Sequence, residues 1–243
     1  MQLVIDSGNS FIKLSLFEGG KPLETFVFKE IKLADIESLF NDHPSIKEAI
    51  ICSVSLSEKE LEEIIANYCP VIVLDHNTPL PIKNKYKAPE TIGKDRLAAA
   101  VGAKAYAEDA PVLVIDAGTC ITYDIVNQSN EFLGGSISPG LNIRIRSLQI
   151  FTERLPLVVP SENIILPGTT TEESILSGVI AGIRFEMEGF INYYSAQYSG
   201  LKCVLSGGDM KYFDKNLKNS IFAVPNIVAE GLQLILNFNA KQI

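Results

Sequence analysis

The chain has 243 residues, of which 47% are hydrophobic and 21% charged, and its net charge is -8 with a pI near 4.9. That length and apolar content give a real core, in one large domain or two smaller ones. The acidic balance argues against nucleic acid as a partner, no apolar run is long enough to span a bilayer, and no signal peptide is visible at the N-terminus.

The chain opens with two alternating β runs, Gln2 to Ile5 and Phe11 to Phe17, joined by Asp6-Ser7-Gly8-Asn9-Ser10. This pattern predicts a β-hairpin. Asp6 sits at the end of the first strand, with the hydroxyls of Ser7 and Ser10 beside it and Lys13 close behind. Asp, Ser and Asn are ordinary turn formers, so the carboxylate can simply cap the turn. The same set can also cradle phosphate on backbone N–H groups and hold Mg2+ through water. A turn at Gly19 to Pro22 and a strand from Leu23 to Lys29 follow, then a short helix over Asp35 to Asn41 and a buried strand over Ala49 to Val54. Ser57 with Glu60 forms a capping box for the next helix, and Val71 to Leu74 is another buried strand. The first half therefore reads β-β-β-α-β-α-β, an α/β order.

Asp75 to Thr91 is polar and carries three prolines, with Tyr86 among Lys83, Lys85 and Lys87. It reads either as a solvated connection or as a substrate-facing loop. Gly93-Lys94-Asp95-Arg96 then opens a helix rich in alanine. Asp95 at a helix mouth can serve the dipole, or act as a base beside the anion-binding guanidinium of Arg96.

Pro111 to Val126 repeats the opening pattern: an apolar run ending in Asp116, then Gly118, Thr119 and a second alternating strand. Phe132 to Gly140 reads as a strand edge broken by glycines, where a ligand or another backbone approaches closely. A helix over Leu141 to Thr152, an irregular stretch over Pro156 to Gly168 and a long helix from Thr169 to about Tyr198 follow. Gly178 and Gly182 inside that helix point to close packing, within the chain or against a second subunit. Leu201 to Leu205 is a buried strand leading into Ser206-Gly207-Gly208, which leaves room for a flat ring, and Val228 to Asn239 is the last helix. Cys52, Cys69, Cys120 and Cys203 form no CxxC pair and lie in or beside apolar runs, so they are expected to be buried thiols in a reducing cytoplasm. Two histidines make a His-based zinc site improbable.

The paired Asp-Gly hairpins resemble the acetate/sugar kinase, Hsp70 and actin superfamily. Asp6 to Ser10 with Lys13, Gly93 to Arg96, Asp116 to Thr119, and Gly134 to Gly140 together resemble the type III pantothenate kinases, across essentially the whole chain. The Gly-x-Asp-Arg motif is the specific part. Ser10 stands where that family often has Thr, and keeps the hydroxyl. The resemblance implies an α/β fold of two similar actin-like (ribonuclease H-like) domains, over 1–110 and 111–243, with a nucleotide cleft between them. It implies ATP-dependent phosphorylation of pantothenate, the first step of coenzyme A synthesis, by a homodimer with no nucleic-acid or membrane partner. By the same resemblance, Asp95 is the general base. Asp6, Ser7, Gly8, Asn9, Ser10, Phe11, Ile12, Lys13 and Thr119 bind ATP, and Asp6 holds Mg2+ through water. Asp116 holds a monovalent cation, K+ or NH4+. Tyr86, Gly93, Lys94, Asp95 and Arg96 line the pantothenate pocket, joined by Thr171 from the neighbouring subunit. The alternatives are another small-molecule kinase of the superfamily, or a nucleotide-binding regulator without catalysis.

Overall fold

The computed structural model of the chain describes residues 1–8, 10–53, 58–213 and 221–240. They form two compact units. The first holds Met1–Ala105, Asn130–Phe132 and the chain from Ile227 onward; the second holds Tyr106–Ser129 and Leu133–Asn226. Among the described residues no helix is long and apolar enough to cross a membrane.

The first unit is built on a five-stranded sheet of order β3-β2-β1-β4-β5. Its elements are β1 (Gln2–Ser7), β2 (Ile12–Glu18), β3 (Lys21–Phe28), α1 (Leu33–Asp42), β4 (Glu48–Ser53), α2 (Glu58–Ala66) and β5 (Val71–Val73). This is the order read from the sequence, with β3 taking in Lys21 and Pro22, which were expected in the turn. The Ser57 cap lies outside the described residues. Central β1 runs antiparallel to β2 and parallel to β4. Leu3, Val4 and Ile5 are all fully buried. Successive side chains on a strand point to opposite faces. Leu3 and Ile5 accordingly join a core with Ile36, Leu39, Leu61 and Ile65 from α1 and α2.

The opposite face is covered by the last helix, α7 (Ile227–Ala240), which packs on β1 and β4. A cut at residue 110 would have placed this helix in the second domain; burial of β1 on both faces instead recruits it to the first unit. An amide ladder ties the two together: Gln2 Nε2 donates to Asn237 Oδ1 (2.6 Å), and Gln233 Nε2 donates to Gln2 Oε1 (2.9 Å). Helix α3 (Lys94–Ala107) lies against α7 through two glycines. A Cβ on Gly102 would come within 2.5 Å of the Ile227 carbonyl, and one on Gly231 would overlap the Ala98 carbonyl. The stretch expected to be irregular contains the two-residue strand β6 (Lys83–Asn84) and a 3-10 turn over Pro89–Thr91.

The second unit repeats the scheme. Its elements are β7 (Val112–Ala117), β8 (Cys120–Val126), β9 (Glu131–Pro139), α4 (Leu141–Phe151), α5 (Thr171–Leu176), α6 (Gly182–Gln197), β10 (Lys202–Ser206) and β11 (Ile221–Ala223). The strand order is β11-β10-β7-β8-β9, with β6 pairing to the first residues of β9. Central β7 is antiparallel to β8 and parallel to β10, as β1 is to β2 and β4. The long helix expected from Thr169 to Tyr198 is divided: a π-helical turn over Ser177–Ala181 separates α5 from α6. Thr170 and Glu173 form the capping box that starts α5.

Because the α3–α7 crossing has no space for a methyl group, Gly231→Ala is expected to destabilise the protein by about 1–3 kcal/mol, as overpacking does. Denaturant unfolding measures this, and an unchanged midpoint would show that the two helices can separate without cost.

Candidate active site

The first hairpin places Asp6 on β1 directly across from Lys13 on β2, and Ser7 across from Ile12. Its turn is closed by Gly8 N–H donating to Phe11 O (3.1 Å). Asn9 lies outside the described residues. Ser10 and Phe11 are exposed at the turn, while Ser7 is buried. Burial pushes the Asp6 carboxyl up to about 6; the Lys13 ammonium pulls it back, and the Asp95 carboxylate raises it further. Asp95 is therefore close enough to Asp6 for the two charges to oppose each other.

Asp95 stands in the first turn of α3. Its Oδ1 accepts a hydrogen bond from Arg96 N–H (2.9 Å), so the carboxylate is folded back over the helix start. It lies where a Cβ on Gly93 would be, so a larger residue there would push the carboxylate aside. Arg96 is only 6% exposed, and its guanidinium carbon lies 5.8 Å from the centre of the Tyr86 ring. Lys94 opens the helix and is partly exposed. Asp6, Lys13, Tyr86, Gly93, Lys94, Asp95 and Arg96 thus all belong to one unit. Phe132, fully buried and 6.4 Å from the Tyr86 ring, was not among the residues singled out from the sequence. Its only sequence signal is an aromatic at the entry to the glycine-broken strand.

The second hairpin sets Asp116 on β7 across from Thr122 on β8, with Gly118 N–H donating to Cys120 O (3.0 Å). Thr119 is exposed at this turn. The close approach expected of the glycine-broken strand is made by backbone: Gly140 N–H donates to Thr119 O (3.1 Å). Gly207 has a φ of +96°, and a Cβ there would overlap the backbone of Ala117. Part of the room expected at Gly207-Gly208 is thus taken by β7, while Gly208 faces open space. Asp209, just beyond, donates its N–H to Ala117 O (2.9 Å). Its carboxyl is pushed up by burial and pulled back by Lys211.

Thr171 is the first residue of α5, and it lines a pocket of about 660 Å³ with Arg144, Leu148, Leu155, Ile175 and Val179. Neither Asp116 nor Thr119 is among its walls. Arg144 is anchored there through Nε to Pro139 O (2.7 Å) and through Nη2 to Ser138 and Glu186 (2.7 Å to the latter). Burial alone would raise the Glu186 carboxyl, but bonds from Arg144, Ser138 and Tyr123 outweigh it and hold the group below the usual range. One expectation needs correction and another is narrowed. Cys52, Cys69 and Cys203 are buried, but Cys120 is exposed, because it follows the tight Gly118-Thr119 turn at the sheet end. A Cβ on Gly178 or Gly182 would meet nothing within 4 Å, so close packing within the chain does not account for those glycines.

Known proteins resemble this chain over its whole length. A family model described as type III pantothenate kinase matches residues 2–193. The type III pantothenate kinase of Christiangramia forsetii is 44% identical over 243 residues, covering 100% of both chains. That of Phocaeicola vulgatus is 42% identical over 245 residues, covering 99% of this chain and 100% of the relative. Among solved structures, a Baf family transcriptional activator from Campylobacter jejuni superposes with a TM-score of 0.66 at 21% identity, over 98% of this chain and 99% of the other. An inorganic polyphosphate/ATP-glucomannokinase from Arthrobacter superposes with a TM-score of 0.50 at 13% identity, over 97% and 98%. At such identities these likenesses speak for the fold alone, an actin-like α/β fold. On the strength of the family match and the full-length relatives, the chain belongs to the type III pantothenate kinase family.

Proposed function

We propose that this chain transfers the γ-phosphoryl group of ATP to the primary hydroxyl of pantothenate, the step that opens coenzyme A synthesis. The observation that carries the reading is the presence in one unit of Asp6 across from Lys13 and of Asp95 beside Arg96 at the start of α3, on a chain of this family. A phosphate-side carboxylate with its lysine and an acceptor-side carboxylate with its arginine then face one reaction. Asp95 accepts the proton of the alcohol as its oxygen bonds to the γ-phosphorus. The bond from that phosphorus to the β,γ-bridging oxygen breaks, and ADP leaves. Phosphoryl transfer asks mainly for positioning and charge stabilisation. Lys13 and the N–H groups of the turn before it would hold the phosphates. Arg96, with Tyr86, Gly93 and Lys94 around it, offers a planar fork for the pantothenate carboxylate.

Asp6 fits a divalent cation. Its ionised form is penalised by burial, and Lys13 offsets that only in part. Among the described residues no group of three or more His, Cys, Asp or Glu side chains is placed to hold a metal alone. Mg2+ bound through water, with the nucleotide completing its shell, suits a lone carboxylate. Such an ion supplies charge neutralisation at the phosphates. At the second hairpin the cross-strand neighbour of Asp116 is the neutral Thr122, where the first hairpin has Lys13. By the family resemblance, Asp116 would hold a monovalent cation, K+ or NH4+.

A homodimer accounts for the surface of the second unit. Gly178, Gly182 and Gly189 lie on one helical face, and an added Cβ at any of them meets nothing. Phe185 on α6 is 62% exposed, and Ile150 and Phe151 at the end of α4 are 65% and 84% exposed. Exposed apolar side chains of this density mark an association surface. Thr171 would then reach the pantothenate site of the partner.

Mixing the protein with Mg-ATP and pantothenate should release ADP and phosphopantothenate, faster with K+ present. Asp95→Asn should lower kcat by on the order of 10²–10⁴ while leaving the melting temperature in place. Near-normal turnover would remove Asp95 from the base role. Asp6→Asn should weaken use of Mg-ATP. It should also change the pH dependence of stability. The raised folded-state carboxyl means that native stability is lost as pH rises from the unfolded value through about 6. The ligand-free variant should therefore gain about 1–2 kcal/mol over wild type between pH 5 and pH 8; parallel melting curves at both pH values would refute the burial of that charge. Gly182→Leu should leave the single chain folded but shift sedimentation from dimer to monomer, with loss of kcat/KM for pantothenate. A variant that still sediments as a dimer would place the interface elsewhere.

A further inference from the structure

Tyr86 belongs to a stretch with little regular structure, yet its backbone is held at three points. Lys83 N–H donates to Asn130 O (2.7 Å) and Lys85 N–H to Phe132 O (2.9 Å), the bonds of the short parallel bridge between β6 and the start of β9. Tyr86 N–H donates to Asn84 Oδ1 (2.9 Å), an Asx turn in which a side chain replaces a backbone acceptor. The ring that follows lies at 47° to that of Phe132 and beneath the guanidinium of Arg96. Both contacts are within the ranges of a tilted aromatic pair and a cation–π pair. The Lys85–Glu131 ion pair beside them, at 3.6 Å with Lys85 half exposed, adds little by comparison.

We infer that Asn84 and Phe132 are positioning residues for acceptor binding. They set the Tyr86 ring against the Arg96 guanidinium, so that the wall meeting pantothenate is formed before the substrate arrives. The inference rests on the reading of Tyr86 and Arg96 as part of the pantothenate pocket. The physical need is plain. Between β5 and α3 the segment's regular structure is one two-residue strand and one 3-10 turn. Without the Asx turn, Tyr86 loses the bond that turns its backbone toward α3. Without the Phe132 ring, it loses the surface that stops it from rotating off Arg96. Ordering a loop at the moment of binding costs affinity, and preorganisation removes that cost.

The test uses the full chain and steady-state kinetics with pantothenate and ATP varied separately. Asn84→Ala is expected to raise KM for pantothenate by about 5–20-fold, the size of a modest positioning loss, with kcat and KM for ATP changed less than twofold. Asn84→Asp keeps the acceptor oxygen and should return KM to within about twofold of wild type. Phe132→Leu should raise KM for pantothenate in the same way, whatever it does to the melting temperature. If Asn84→Ala and Phe132→Leu leave KM unchanged while Tyr86→Ala raises it, the positioning role is overturned and the pocket reading stands. If Tyr86→Ala also leaves KM unchanged, or wild type does not phosphorylate pantothenate, both are overturned. Parallel loss of kcat, of ATP affinity and of melting temperature in Asn84→Ala would reduce Asn84 to a structural role and overturn the inference.

Discussion

The structure of the first unit turns on one partly exposed carboxylate whose ionised form burial penalises. Asp6 stands near the end of the central strand of its sheet, between an antiparallel neighbour that sets Lys13 across from it and a parallel one that sets Cys52 there. Burial works against its ionised form, and Asp95 adds to that strain. One lysine is a partial answer. In the function proposed above, a bound cation and a nucleotide would be the fuller one, making a site unfavourable to the empty protein favourable once loaded. Everything that buries β1, including the helix that returns from the far end of the sequence, feeds into this balance.

The second unit repeats the backbone plan with different chemistry. Both hairpins close on a glycine N–H, at Gly8 and at Gly118, and both place an aspartate on a central strand. The cross-strand partner changes from a lysine to a threonine. The space beyond the second aspartate is shaped by backbone: Gly207 and Gly140 bring two chain segments against the Ala117-Gly118-Thr119 turn. These glycines are there because two main chains meet, which is a tighter requirement than leaving space for a ligand.

Much of the fold was legible from local pattern. Alternation gave the strands of both hairpins, the Thr169 to Glu173 run marked the start of the helix that opens with α5, and the Gly-Lys-Asp-Arg run placed Asp95 in the first turn of its helix. Phe132 was not legible as a partner of Tyr86. Forty-six positions separate them, and the bridge that joins them is two residues long, too short to leave a periodic signal. Cys120 misled for the opposite reason: an apolar neighbourhood in sequence predicts burial, but a tight turn at the end of a strand points its residues outward.

What the amino-acid sequence determined alone is the alphabet of the site. Carboxylate, lysine, glycine turn and Asp-Arg pair occur at spacings that local hydrogen bonding and strand alternation dictate, and those rules act over a few residues. What only the tertiary structure decided is which of these groups face one another. The opposition of Asp6 and Asp95, the seating of α7 on β1 and the locking of Tyr86 between Phe132 and Arg96 depend on surfaces brought together from distant parts of the chain. Burial and Coulomb forces act through space, and no spacing in the sequence records them.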